Sequence, residues 1–138
     1  MLSCISGEEF RVRNRFFVTV VMAAAVAMLS SLPALADVRV RVDKSSQTMT
    51  VAVDGWVQYQ WPVSTGKRGY YTPTGSWRPF RLEPNWYSRK YDNAPMPHSI
   101  FFKGGAAIHA TSSIHLLGTP ASHGCVRLSP SNAAKLYA

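Results

Sequence analysis

Apolar and basic residues take turns from Val38 to Val42 (V-R-V-R-V), and a looser alternation runs from Thr48 to Val53 (T-M-T-V-A-V). A period of two sends successive side chains to opposite faces of a strand, so both runs predict half-buried β-strands. Asp54-Gly55 is a tight-turn pair, and Trp56 to Val63 is aromatic and β-branched, which predicts a third strand joined by a turn. Thr72-Pro73-Thr74-Gly75 reads as a turn before a further short strand, Ser76 to Leu82. Ser99 to Phe102 and Ala106 to Ala110 read as two strands around Gly104-Gly105. Ser129 suits an N-cap and Pro130 the first helical position, so a helix should start there. No helix long enough to dominate the fold is visible. The expected fold class is mainly β, with a short C-terminal helix.

Residues 83–97 (E-P-N-W-Y-S-R-K-Y-D-N-A-P-M-P) break the pattern. Pro84, Pro95 and Pro97 should disrupt regular structure, while Trp86, Tyr87 and Tyr91 are large and amphipathic. The expectation is a long, aromatic-rich loop, and such loops often carry function. The competing reading is that its rings cover one edge of the core.

The first residues follow another pattern. Arg11, Arg13 and Arg15 precede an apolar run, Phe16 to Leu29, then S-S-L-P and Ala34-Leu35-Ala36. A basic region, an apolar region and an A-x-A site make a secretory signal peptide, expected to be cleaved after Ala36. The apolar run holds 14 residues (16 to 29), short of the roughly 20 that span a bilayer, so an uncleaved anchor is the alternative. Glu8 and Glu9 are odd in a leader, and a start later than Met1 would suit it better. Residues 37–138 then form one small domain with no membrane span of its own.

The leader carries three arginines and two glutamates, so its loss takes the net charge from +8 to +7 (12 basic against 5 acidic residues). An exported basic protein is better suited to an anionic envelope polymer or a carboxylate-rich substrate than to nucleic acid, although charge alone also serves solubility. Cys4 leaves with the leader. Cys125 is then alone where thiols are usually paired, so it is either buried and inert or kept because it reacts.

Its neighbours are A-S-H-G-C-V-R-L, residues 121 to 128. His123 stands two residues before the cysteine, and His109 ends an apolar strand on a separate element. Either imidazole can take the thiol proton, giving a thiolate–imidazolium pair. If the segment is extended, His123, Cys125 and Arg127 share a face, with alternate Cα atoms roughly 6.5–7 Å apart. Gly124 would let a substrate approach the backbone, and the amides around Gly124 and Cys125 would form an oxyanion hole. Arg127 can reach a carboxylate near the reacting carbonyl. These residues suggest a cysteine acyl-transfer enzyme. A buried cysteine beside a structural histidine is one alternative. A zinc site of His109, His123 and Cys125 is another, although the spacing matches no common zinc pattern.

I-H-A-T (108–111) followed by L-G-T-P-A-S-H-G-C-V-R-L (117–128) closely resembles the L,D-transpeptidase catalytic domain, or YkuD domain. V-S-T-G-K (63–67), T-P-T-G-S-W (72–77) and M-P (96–97) match it too, so the resemblance covers nearly all of residues 37–138. It implies a small β-sandwich or barrel-like fold. It also implies Cys125 as nucleophile and His109 as general base, the base oriented by a backbone carbonyl, that of Ala110. Ser122, His123 and Gly124 resemble the oxyanion and substrate wall, with Ser122 supporting the loop, and Arg127 the arginine beside a substrate carboxylate. His98 and His115 match no catalytic position and are expected on the surface or in packing. Ala110 stands where many members have glycine. The chain stops where the family completes its helix and adds a closing strand, so a C-terminal truncation is expected.

What the resemblance implies chemically is attack of Cys125 on a diaminopimelate carbonyl in a peptidoglycan tetrapeptide stem. D-alanine is released, and the acyl group passes to an amine of another stem or of an envelope protein. No cofactor and no metal is implied. The rival readings are a hydrolase that trims stems and an inactive cell-wall-binding module.

Overall fold

The computed structural model describes residues 36–138; the expected leader lies outside the described residues except for Ala36. The two-residue periods do form strands. β1 (Val38–Asp43), β2 (Thr48–Val53) and β3 (Trp56–Pro62) make an antiparallel sheet in that order. Its register sets Val40 beside Val51 and Tyr59, and Val42 beside Met49 and Trp61. One face is therefore apolar, while Arg39 and Arg41 point from the other. Asp54 and Gly55 turn the chain at φ 51° and 83°, the paired positive angles that match the twist of a two-residue hairpin.

The second sheet runs β4 (Arg81–Ser88), β5 (Ala94–Lys103), β6 (Ala106–Ala110) and β7 (Val126–Leu128), in that order. Its first three strands are antiparallel, and β6 and β7 are parallel. Helix α1 (Pro130–Tyr137) follows, with Pro130 in its first turn and the Ser129 hydroxyl accepting from the Asn132 amide at 3.3 Å. The molecule is mainly β with two sheets and a short C-terminal helix, as the sequence predicts.

Two expectations need correction. Residues 83–97 are not a loop: they form most of a β-hairpin, β4 and β5, whose turn is 89–93. Proline is tolerated where a strand has a free side. Pro95 and Pro97 lie two apart, so their missing N–H groups face the same side. β6 pairs only with Ile100, Phe101 and Lys103, which leaves that side of 94–98 without a neighbouring strand. Pro84 lies on edge strand β4 and makes no pair there. The strand expected over Ser76 to Leu82 begins only at Arg81. Pro79 has no amide to donate to a ladder, and the Phe80 amide is the first to reach β5, at Phe101 O, 3.0 Å.

The core forms where the sheets and α1 meet: Met49, Val51, Trp61, Val63, Ala110, Val126, Leu128 and Ala133 are buried together, with Ile108 and Leu136 packed against them. On β6, Ile108 and Ala110 face this core, so Ala107 and His109 face away. On β7, Val126 and Leu128 face it, so Arg127 faces away.

Residues 63–67 strap the two sheets together. Ser64 exchanges backbone hydrogen bonds with Arg127 at 2.9 and 3.1 Å. Thr65 O accepts from the Ala121 and Ser122 amides, both at 2.9 Å, and the Lys67 amide donates to Ser122 O at 3.0 Å. Gly66 lies so close to the chain opposite that an added Cβ would sit 2.1 Å from Tyr70 O. The strap is fixed to the first sheet by Gln47, a buried side chain. Its Nε2 donates to Lys44 O (2.6 Å) and Thr65 Oγ1 (2.7 Å), and its Oε1 accepts from the Thr65 amide (2.9 Å).

Replacing Gln47 by alanine strands the buried Thr65 amide, and a buried orphan group costs roughly 1–3 kcal/mol. Chemical denaturation of Gln47→Ala should show a loss in that range; an unchanged midpoint would mean that the strap is held by other contacts.

Candidate active site

The parallel register pairs Ile108 with Val126, His109 with Arg127 and Ala110 with Leu128. In a parallel pair, residues side by side point the same way, so His109 and Arg127 leave the sheet on the face opposite the core. Cys125 lies one residue before β7 and packs against Met96, Phe101 and Ala107, residues of that same face. His109, Cys125, Arg127, Ser122 and His123 all line one cleft of about 610 Å³, bounded on its far side by Lys90, Tyr91 and Asp92 of the β4–β5 turn.

His109 is buried, and its Nδ1 lies 2.7 Å from Ala110 O. A carbonyl only accepts, so Nδ1 carries the proton and Nε2 is left as a free lone pair. Burial pulls the imidazole down to about 4, against the upward effect of the Ala110 carbonyl, and the Arg127 charge lowers it further. Burial pushes the Cys125 thiol up, partly offset by the Ala107 amide and by Arg127. Both shifts favour the uncharged forms. They disfavour the expected thiolate–imidazolium pair in the unliganded protein. Sγ has its hydrogen-bond contact at Gly105 O, 3.9 Å.

The stretch before Cys125 is not extended. Gly124 has φ 117° and approaches the neighbouring chain so closely that a Cβ would stand 3.0 Å from Tyr71 O. The Ser122 hydroxyl spans the bend: it accepts from the Gly124 amide at 3.0 Å and donates to Cys125 O at 2.5 Å. The Gly124 amide is thereby taken, whereas the Cys125 amide has no acceptor of that kind and can donate to an oxyanion. The bend also turns His123 away from the shared face. Its ring lies between Tyr70 and Tyr91, with centroids 4.4 and 4.6 Å away. Among the described residues no three His, Cys, Asp or Glu side chains converge to hold a metal ion, so the set His109, His123 and Cys125 does not assemble. Arg127 donates one long bond, 3.4 Å, to Ala121 O, which leaves most of its guanidinium free toward the cleft.

His98 also lines the cleft, at φ 54°, packed edge-on to Tyr137 with a buried Nδ1 that has no partner. His115 is exposed in a 3-10 turn. Sequence reasoning missed Tyr70, Tyr91 and Gln47 as residues that shape the site. Tyr91 was visible only as an aromatic in a presumed loop, and Gln47 carried no motif at all.

The family model for the L,D-transpeptidase catalytic domain (YkuD) matches residues 37–138. The chain belongs to this family. Among solved structures, an L,D-transpeptidase from Mycobacterium smegmatis is similar at 33% identity with a TM-score of 0.68, over 74% of this chain and 54% of its own. One from Stackebrandtia nassauensis is similar at 33% identity and a TM-score of 0.65, over 82% and 58%. An LD transpeptidase in complex with imipenem is similar at 27% identity and a TM-score of 0.67, over 74% and 54%. This chain thus spans little more than half the length of the solved relatives it matches. No curated protein matches it. Among the described residues of this family member, no helix is long and apolar enough to cross a membrane.

The buried imidazole has a consequence for acid stability. An unfolded histidine protonates below about pH 6.5, whereas His109 in the fold resists protonation down to about 4. As pH falls through this window the unfolded chain binds the proton first, so stability is lost between about pH 6.5 and 4 and changes no further below. The loss attributable to His109 is up to ~3 kcal/mol. A His109→Gln variant should show a flatter fall of melting temperature across that window; parallel curves for the two proteins would refute the assignment.

Proposed function

We propose that this protein is an exported L,D-transpeptidase that acylates Cys125 with a peptidoglycan stem peptide and passes the acyl group to an amine. The observation that carries the reading is the cleft itself, where a tautomer-fixed His109 on β6 and Cys125, one residue before the parallel strand β7, line the same wall. The leader reading of residues 1–36 supports an envelope location, and there an unpaired Cys125 is a thiol kept for its reactivity.

The chemistry follows from the charge states. A neutral thiol is a poor nucleophile, so the proton must leave sulfur as the S–C bond forms. His109 Nε2 takes it. The Ala110 carbonyl holds Nδ1–H and so turns Nε2 toward the cleft. The carbonyl of diaminopimelate becomes a tetrahedral oxyanion, for which the Cys125 amide is the available donor. Collapse breaks the C–N bond to D-alanine, whose nitrogen collects the proton from His109. The thioester is then attacked by an amine, His109 again taking the proton, and the new amide leaves Cys125 as a thiol. The acceptor is a second stem or an amine on an envelope protein. No step calls for a cofactor. Ser122 keeps the bend before Cys125, and Gly124 supplies the backbone angle. His123 forms part of the substrate wall.

Acylation by a carbapenem tests the nucleophile, and a relative solved with imipenem makes this class a suitable probe. Intact-mass measurement should show one carbapenem added to the wild type and none to Cys125→Ala. The substitution removes one sulfur from a half-buried site, so the fold should persist. An equal adduct on the variant would assign the chemistry elsewhere.

Arg127 is proposed to read a substrate carboxylate near the attacked carbonyl. A charge-assisted contact of that kind contributes roughly 1.5–3 kcal/mol, about 10- to 150-fold in rate. Arg127→Gln should therefore slow a free-acid stem far more than the same stem amidated at that carboxylate. Equal slowing of both, with a lowered melting temperature, would mean that Arg127 only tethers Ala121.

A further inference from the structure

Around His123 five side chains form a column that the reacting pair does not use. Tyr70 meets the imidazole edge-on and Tyr91 stacks on it at 17° between planes. The Lys67 ammonium stands 5.3 Å from the centre of the Tyr70 ring, and the Lys90 ammonium 5.5 Å from that of Tyr91. The order is Lys67, Tyr70, His123, Tyr91, Lys90. Its members come from three separate parts of the chain: the segment after β3, the bend before β7, and the turn between β4 and β5.

The column carries charge that nothing offsets. Lys90, Tyr91, His123 and Arg127 line the cleft together. Partial burial first, then the positive charges of Lys67, Arg127 and Lys90, hold the His123 imidazole below its ordinary value, so all three cations are felt at one point. The ion pairs among the described residues are Arg39–Asp37 and Arg81–Glu83, neither of them here. One carboxylate, Asp92, borders the cleft, and it makes no ion pair with these cations. Cations near one imidazole and without an ion-pair partner raise the local positive potential, and an anion bound beside His123 lowers it. The ring contacts fix where each ammonium sits without using its N–H donors.

We propose that the Lys67–Tyr70–His123–Tyr91–Lys90 column is a second carboxylate subsite, so that the peptide substrate is bound through two carboxylates, one at Arg127 and one at the column. This rests on the transpeptidase reading for the peptide, and it goes further by requiring a dianionic substrate and naming the residues that select it. The rival role is a clasp that only fastens the β4–β5 turn to the bend before Cys125.

Binding tests it without any catalytic step. In a Cys125→Ala background, the dissociation constants of a tetrapeptide stem and of stems amidated at one carboxylate at a time are measured, with and without the double substitution Lys67→Gln, Lys90→Gln. The double substitution Lys103→Gln, Lys135→Gln, at lysines on the Trp77 and Tyr59 rings outside the cleft, is the charge-matched control. One amidation, at a carboxylate whose loss is still felt in Arg127→Gln, should weaken binding about three- to tenfold in the parent and hardly at all in the double variant. That difference should shrink in high salt, and the Lys103→Gln, Lys135→Gln control should behave as the parent. The inference is overturned if every amidation costs the same in parent and double variant, if no stem binds, or if the double variant weakens all stems equally with a lower melting temperature, which is the clasp. Failure of the transpeptidase reading would register separately, as absence of a carbapenem adduct on Cys125.

Discussion

Everything at the site depends on the parallel pairing of β6 with β7 in one register. Side chains alternate along a strand, so the placement that buries Ile108, Ala110, Val126 and Leu128 in the core also sends His109 and Arg127 to the other face. A slip of one residue would put the base into the core and a leucine into the cleft. The register is therefore held by the same apolar burial that stabilises the fold. Parallel strands also need a crossover, here residues 111–125, and this crossover carries Ser122, His123, Gly124 and Cys125. The strap at 63–67 holds it through Thr65 O and Lys67 N. Gln47, far from the chemistry, is thus tied to the position of the thiol through Thr65.

Burial decides the charge state of the reacting pair. One low-dielectric pocket raises the thiol and lowers the imidazole. Both shifts favour the neutral forms, and a lone thiol held uncharged is less open to oxidation. The imidazole is oriented by the Ala110 carbonyl instead of a carboxylate. This is consistent with a sequence that has no acidic residue after Asp92.

The strands of the first sheet, β6 and the helix start were legible because each rests on local information: a period of two, a turn pair, an N-cap followed by proline. The β4–β5 hairpin was not, because three prolines are a valid sign of broken structure unless the strand has a free side, and that depends on how far β6 reaches. Cys125, His109 and Arg127 were legible as residues, and so was the carbonyl contact of His109 through the family resemblance. The bend at Gly124 was not, since it arises from a close approach to Tyr71 that only the assembled fold creates. For the same reason the column on His123 was illegible: K-R-G-Y and R-K-Y are ordinary basic stretches until the fold brings them to either side of one ring.

The electrostatics leave one requirement open for the substrate to meet. On the proposed mechanism, proton transfer makes an imidazolium at His109, in a buried place, with the Arg127 guanidinium already lowering its basicity. Asp92 borders the far side of the same cleft, and among the described residues no ion pair forms at His109. On the transpeptidase reading, a bound stem changes this balance. A carboxylate on Arg127 neutralises the guanidinium, which is the lesser of the two causes that depress His109, burial being the larger. The base becomes stronger only when the right peptide is in place, and a neutral analogue of the same shape would meet a weaker one. On that reading carboxylate recognition and base strength are coupled through Arg127, while burial keeps the basicity of His109 low in either state.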